Sequence, residues 1–295
     1  MGRWNDNTRG ALLMMLAMAS FTVNDACIKS LAGHVPFFQA VFLRGAATVP
    51  MLLLIARATG GLGFRYGRRD RGLVILRSLA EVAAAYFFLT ALFNMPIANA
   101  TAILMALPLS VTLAGAVFLG EPVGWRRWLA IAVGFVGVML IVRPGAEGFN
   151  IYSIYALLTV ACVTVRDLAA RRLSPDVHSL SVAVAGALAV TVFMGLGSVG
   201  EPWVMPGARE AALLLGAAVL IIGGYIFSIM TMRVGEIAVV TPFLYTGLIW
   251  ALILGLLVFG DWPSGLTLLG AGLVATTGIY TLYRERRVEE AQSSP

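Results

Sequence analysis

Charge is scarce in this chain. Only 12% of its 295 residues are Asp, Glu, Lys or Arg, 59% are apolar, and the mean hydropathy is +0.88. A water-facing surface carries roughly 25% charged residues, so an ordinary soluble domain is excluded and the chain falls in the membrane class. Lysine is nearly missing: of 21 basic residues only Lys29 is a lysine. Cysteine is limited to Cys27 and Cys162, both inside apolar runs. With no CxxC pair and no histidine cluster they read as buried free thiols, neither a disulfide framework nor a metal site. The two histidines, His34 and His178, fall at loop edges and suit interfacial or capping roles. Alternation over about ten residues, the mark of barrel strands, is also lacking; the apolar runs are about 20 residues long, which calls for helices. No GxxxxGK[ST] sequence supports an ATPase, and neither HExxH nor GxSxG supports a hydrolase. The first apolar run, from Gly10 to about Leu31, is too long for a cleaved leader and reads as a spanning helix.

The runs predict ten spans at about 10–31, 36–57, 73–93, 97–118, 127–143, 150–172, 178–199, 210–232, 237–259 and 264–283, with a polar, frayed tail after Tyr283. Short links such as Gly33-His34-Val35 and Gly260-Asp261-Trp262 imply antiparallel neighbours. With the N-terminus inside, the inner face collects Arg3, Arg9, Arg57, Arg65, Arg68, Arg69, Arg71, Arg77, Arg126, Arg127, Arg171, Arg172, Arg233, Arg284, Arg286 and Arg287. Only Arg143 and Arg209 fall outside. That asymmetry places both termini in the cytoplasm. It also accounts for the net charge of +6 without a nucleic-acid partner.

Two half-chains resemble one another. Phe21-Thr-Val-Asn24-Asp25 recurs 142 residues on as Val163-Thr-Val-Arg166-Asp167. Tyr86-Phe-Phe parallels Tyr225-Ile-Phe, and Phe118-Leu-Gly-Glu121-Pro122 parallels Val258-Phe-Gly-Asp261-Trp-Pro263. Five spans per half is an odd number, so the halves must enter from opposite sides. The fold class expected is therefore an all-α integral membrane protein of ten helices, built as two inverted five-helix repeats at 1–145 and 146–287, with a cytoplasmic tail at 288–295.

A charge in hydrocarbon costs several kcal/mol by order of magnitude and marks a functional site by default. Two clusters are expected, one toward each face: Asn24, Asp25, Lys29 and Arg44 outside, and Arg77, Glu81, Arg166 and Asp167 inside. Either they line a cavity and exchange partners as a gate, or they tie helices together statically. Tyr86, Tyr155, Tyr225, Tyr245 and Trp250 lie at a depth where rings could stack on a flat or cationic substrate, the alternative being belt or packing roles. Glycines in the fifth and tenth spans (Gly134, Gly137, Gly270, Gly272, Gly278) are expected at close helix crossings, and Pro108 is expected to kink the fourth span.

These residues resemble the ten-helix EamA-type carriers of the drug/metabolite transporter superfamily. The marks are Pro108 leading into Gly120-Glu121-Pro122, then Trp128, Gly134-Phe-Val-Gly137 and Arg143-Pro144. Within that superfamily the chain looks most like the S-adenosylmethionine uptake branch, through Asn24-Asp25, Lys29, Phe42 with Arg44, Arg77, Trp128, Phe149-Asn150 and Asp167. Glu81 and Arg166 depart from that branch, where apolar residues are expected. The resemblance implies a secondary carrier for a small polar or amphiphilic metabolite, in a bacterial inner membrane, with its cavity between the repeats. The function expected is alternating access, including uptake or exchange of S-adenosylmethionine. The runner-up is export of amino acids or cationic drugs, and a channel or membrane enzyme is a distant third. No cofactor and no metal is expected; the partners are a small-molecule substrate and the bilayer, with the chain a monomer or homodimer.

Overall fold

The computed structural model describes residues 6–59, 63, 67–120, 123–144, 150–234 and 237–293. Arg3, Arg65, Glu121, Pro122 and Phe149 lie outside the described residues, as do the side chains of Arg233, Arg284, Arg286 and Arg287. Among the described residues there is helix and no strand, the all-α class expected. The helices are α1 (Asp6–Lys29), α2 (Phe37–Ala58), α3 (Arg68–Asn94), α4 (Ile97–Leu104), α5 (Leu107–Leu119), α6 (Trp125–Val142), α7 (Tyr152–Arg171) and α8 (Ser179–Ser198). Then follow α9 (Ala208–Val234), α10 (Ile237–Val240), a 3-10 turn (Thr241–Tyr245), α11 (Thr246–Phe259) and α12 (Gly265–Ser293). Among the described residues ten units are long and apolar enough to cross a membrane. Eight are single helices; the fourth is α4 with α5, and the ninth is the 3-10 turn with α11. The polar tail is a correction: α12 stays helical to Ser293, because its Arg, Glu, Ala and Gln residues are all good helix formers.

The outer surface is apolar, as hydrocarbon requires. Leu54, Leu196 and Leu257 are 67%, 71% and 76% exposed, while backbone polar groups are satisfied within each helix. Prolines stand where a helix can start: Pro36 and Pro96 cap α2 and α4. Two glycines stop helices at equivalent points of the two halves. Gly120 ends α5 at φ +71° and Gly260 ends α11 at φ +68°, a left-handed conformation that costs roughly 1–2 kcal/mol for a residue with a Cβ.

The packing is that of a two-fold. α1 packs along α9 and α3 along α7, two pairs that exchange when the halves are swapped; α2 packs on α8 and α6 on α12, each pair mapping onto itself. The self-pairs run antiparallel. Going up α2, Phe38, Phe42 and Gly45 meet Gly197, Gly195 and Thr191 going down α8. On the other pair Gly134 faces Thr277, and Gly137 and Ile141 face Gly270. Equivalent helices that oppose one another are what two upside-down bundles require. Polar ties repeat the symmetry. Gln39 on α2, fully buried, bonds both backbone groups of Val204, donating at 2.6 Å and accepting at 3.0 Å. Its counterpart Ser181 on α8 accepts from the backbone N–H of Gly63 at 2.8 Å.

The glycine expectation holds at Gly137 and Gly270, where a Cβ on Gly137 would stand 2.8 Å from the carbonyl oxygen of Gly270, and fails at Gly272, which faces open space. Pro108 does more than kink the fourth span. It lies in the first turn of α5, and α4 stops at Leu104, so the span is broken in two. In the ninth span a 3-10 turn that begins at Thr241-Pro242 gives way to α11 after Tyr245, which stands as far before Gly260 as Met105, at the break of the fourth span, stands before Gly120.

Candidate functional site

The inner cluster is a continuous chain of alternating charge. Arg77 on α3 stands 3.6 Å from Glu81, one turn on. Glu81 accepts from Arg166 of α7 at 3.2 Å, and Arg166 Nε donates to Asp167 at 2.9 Å. Arg77 also donates to the carbonyl of Val182 on α8, at 3.3 Å. Two cations and two anions cancel, the arrangement in which charge is tolerated inside a bilayer. The side chains are 17–39% exposed, so the chain borders accessible space.

The outer cluster is built differently. Asn24 of α1, 2% exposed, donates from Nδ2 to Asp25 at 2.9 Å and accepts from Arg44 of α2 at 3.4 Å. An amide offers a donor to the carboxylate and an acceptor to the guanidinium at once, so Asn24 bridges the two charges. Lys29, expected here, is elsewhere. It donates to the carbonyls of Leu92 (2.9 Å) and Met95 (2.8 Å) at the end of α3, and lies 5.3 Å from the Phe259 ring. Those carbonyls have no partner within α3, and a cation at a helix C-terminus is doubly favourable. Lys29 is thus a tie between α1 and α3.

Symmetry explains the difference between clusters. The 142-residue shift takes Arg44 to Gly186 of α8. A Cβ at Gly186 would stand 3.1 Å from Arg77 Nη1 and 3.6 Å from Glu81 Cγ. In the first half the cation comes from α2; in the second that place is empty and the Arg77–Glu81 pair of α3 fills it. Sequence reading missed Gly186, although its alignment with Arg44 is a legible signal.

Tyr225 joins the clusters. On α9, packed edge-on to Phe21 (5.5 Å between ring centres), it lies within electrostatic reach of Arg44 on one side and of Arg77, Glu81 and Arg166 on the other. It is 39% exposed amid these charged groups. Tyr225 therefore lies between the two sets of charges expected at opposite faces. Glycines on α9 let α1 come close: the Phe21 ring packs against Gly224, and Ser20 faces Gly223.

The other aromatic candidates are not brought to this place. Tyr86 stacks on Phe38 (6.1 Å) and packs edge-on to Phe37, Phe87 and Phe193, in a ring cluster between α2, α3 and α8. Tyr155 joins Phe87 and Tyr152. Tyr245, 7% exposed, ends the 3-10 turn with its hydroxyl pressed against Gly278 of α12 and without a hydrogen-bond partner. Trp250 is half-buried on α11. His34 and His178 each meet a backbone carbonyl two residues earlier, and Cys27 and Cys162 are free. A hydroxyl pair, Ser110 of α5 with Thr164 of α7 at 2.8 Å, also escaped the sequence reading. Among the described residues no group of His, Cys, Asp or Glu could hold a metal ion.

Residues 8–143 match the EamA-like transporter family. Along most of its length the chain is similar to proteins with three different cargoes. It is 24% identical to the S-adenosylmethionine uptake transporter of Rickettsia conorii, over 92% of both chains. It is 25% identical to the pseudopaline exporter of Pseudomonas aeruginosa, over 92% of this chain and 94% of that one. It is 29% identical to the riboflavin transporter of Vibrio cholerae, over 90% of both. A solved crystal structure superposes with a TM-score of 0.65 at 20% identity, over 94% of this chain and 97% of the other, and so shares the fold.

Proposed function

We propose that the chain, whose residues 8–143 match the EamA-like transporter family, is a secondary carrier that moves a small polar or amphiphilic metabolite by alternating access. The observation that carries this reading is the two sets of paired charges, Arg77–Glu81–Arg166–Asp167 and Asp25–Asn24–Arg44, inside a bundle whose outer surface is apolar. A polar site at the junction of two inverted halves, flanked by helices broken at matching depth, is how such carriers bind cargo at the membrane midplane. The repeats are 1–145 and 146–287, both termini face the cytoplasm, and the membrane is the bacterial inner membrane.

The substrate we favour has an anionic and a cationic end on a flat body, of which S-adenosylmethionine is the first to try. Arg44 offers a guanidinium whose described contact is one long bond to a neutral amide, ready for a carboxylate. Asp25 and Asp167 offer carboxylates, and Tyr225 a ring face. Glu81 and Arg166 add an internal ion pair whose partners can be released to cargo and re-formed afterwards. The incomplete burial of Asp167, 39% exposed, favours this gating role over a static tie.

The test is exchange in proteoliposomes preloaded with unlabelled metabolites, with labelled S-adenosylmethionine or labelled amino acids outside. We expect saturable uptake stimulated by internal counter-substrate. Absence of labelled sulfonium entry under every loading would discard that substrate, and flux without counter-stimulation would replace the carrier by a channel.

A further inference from the structure

We infer that a groove on the outer wall of the bundle, between α3, α5 and α7, holds an anionic phospholipid with its phosphate on Arg172. The groove measures about 280 Å³ and is lined by Leu73, Leu76, Phe118, Val165 and Leu168, with Arg172 at one end. It opens sideways toward the membrane, since Leu76, Phe118 and Val165 are 47%, 71% and 44% exposed. Its one polar lining side chain besides Arg172, Thr164, is already satisfied by Ser110 and by the carbonyl of Val160. The length of the groove thus suits an acyl chain, and the only ionic demand sits at its end.

That demand is for an anion. Arg172 is exposed, and its one described partner is the neutral carbonyl of Phe118 at 3.3 Å. Arg68, Arg69 and Arg71 stand exposed on the first turns of α3 at the same end of the molecule. Asp70, the acid among them, is turned away and spent on the N–H and hydroxyl of Ser174, at 3.2 and 3.1 Å. A basic pocket between spanning helices at the basic membrane face recognises anionic headgroups, each arginine contributing about fivefold in affinity. Leu76 adjoins Arg77 and Leu168 adjoins Asp167, so a seated acyl chain braces the seam that carries the inner charge chain.

Native mass spectrometry of the full chain, with phosphatidylglycerol and phosphatidylcholine of the same acyl chains, tests this. It reads lipid binding, not flux, so it stands apart from the transport reading. Phosphatidylglycerol is expected to be retained at least about fivefold more than phosphatidylcholine. Arg172→Gln should remove that preference, and Arg209→Ala, which deletes the same charge at the opposite end, should not. Ala114→Phe, filling the groove from α5, should reduce retention of both lipids. Equal retention of the two lipids, unchanged preference in Arg172→Gln, or full displacement of the lipid by glycerol phosphate at equal concentration would overturn the proposal.

Discussion

Asp25 and Lys29 stand one helical turn apart on α1 and do opposite things, one facing the site and the other pinning a neighbouring helix. Removing charge without volume separates them. Asp25→Asn keeps a partner for Asn24, and Asp167→Asn keeps an acceptor for Arg166, so both variants should fold. Each should lower exchange at least tenfold, about 1.4 kcal/mol, with thermal stability close to that of the parent. Lys29→Met should do the reverse. It deletes two charge-assisted hydrogen bonds, of about 1.5–3 kcal/mol each, and orphans carbonyls at the end of α3. The melting temperature should fall by several degrees while flux per folded molecule persists. Unchanged stability in Lys29→Met, measured by a thermal shift in detergent, would return Lys29 to the site. Depth in the membrane grouped Asp25 with Lys29, since both lie toward the same end of the first span. It could not show that the long lysine stem reaches a helix end 63 residues away.

At the scale of elements, the broken fourth and ninth spans matter most. Pro108 was legible as a disturbance because proline in an apolar run removes a backbone bond. Pro242 carries the same signal six residues out of register with Pro108, yet the two breaks themselves correspond, at Met105 and at Tyr245, which only the structure shows. The ninth span rests on α12 through Tyr245, whose hydroxyl fills the notch at Gly278. Gly278→Ala should destabilise by about 1–3 kcal/mol, the usual cost of overpacking. Tyr245→Phe should be close to neutral, since it removes a buried hydroxyl that has no partner. The double variant should be milder than the sum of the two, and strict additivity in a denaturation cycle would refute the contact. Gly137→Ala should find no such rescue, because its Cβ meets a backbone carbonyl.

For the molecule as a whole, inversion sets which ends share a face. With Cys27 and Cys162 replaced by serine, a single cysteine at Met205, 91% exposed between α8 and α9, should react with an impermeant thiol reagent added outside intact cells. One at Arg69, at the start of α3, should react only after the membrane is opened. Labelling of both from the same side would refute the alternation of spans on which the inverted arrangement rests. The halves were legible because five spans is an odd number, and because Asn24-Asp25 and Arg166-Asp167 repeat a pattern too costly in lipid to be accidental.

The order and number of the spans, the basic side of the bundle and the presence of intramembrane charge were determined by the sequence alone. Each follows from a one-dimensional quantity: run length against bilayer thickness, and the cost of putting an ion in hydrocarbon. Which charges meet was decided by tertiary structure. Asn24 bridges Asp25 to Arg44, Lys29 leaves for α3, and the Arg77–Glu81 pair occupies the room opened by Gly186. Hydrogen bonds and ion pairs act over about 3–4 Å, and only the packing of α1 against α2 and α3, and of α3 against α7 and α8, brings residues from distant parts of the chain within that range.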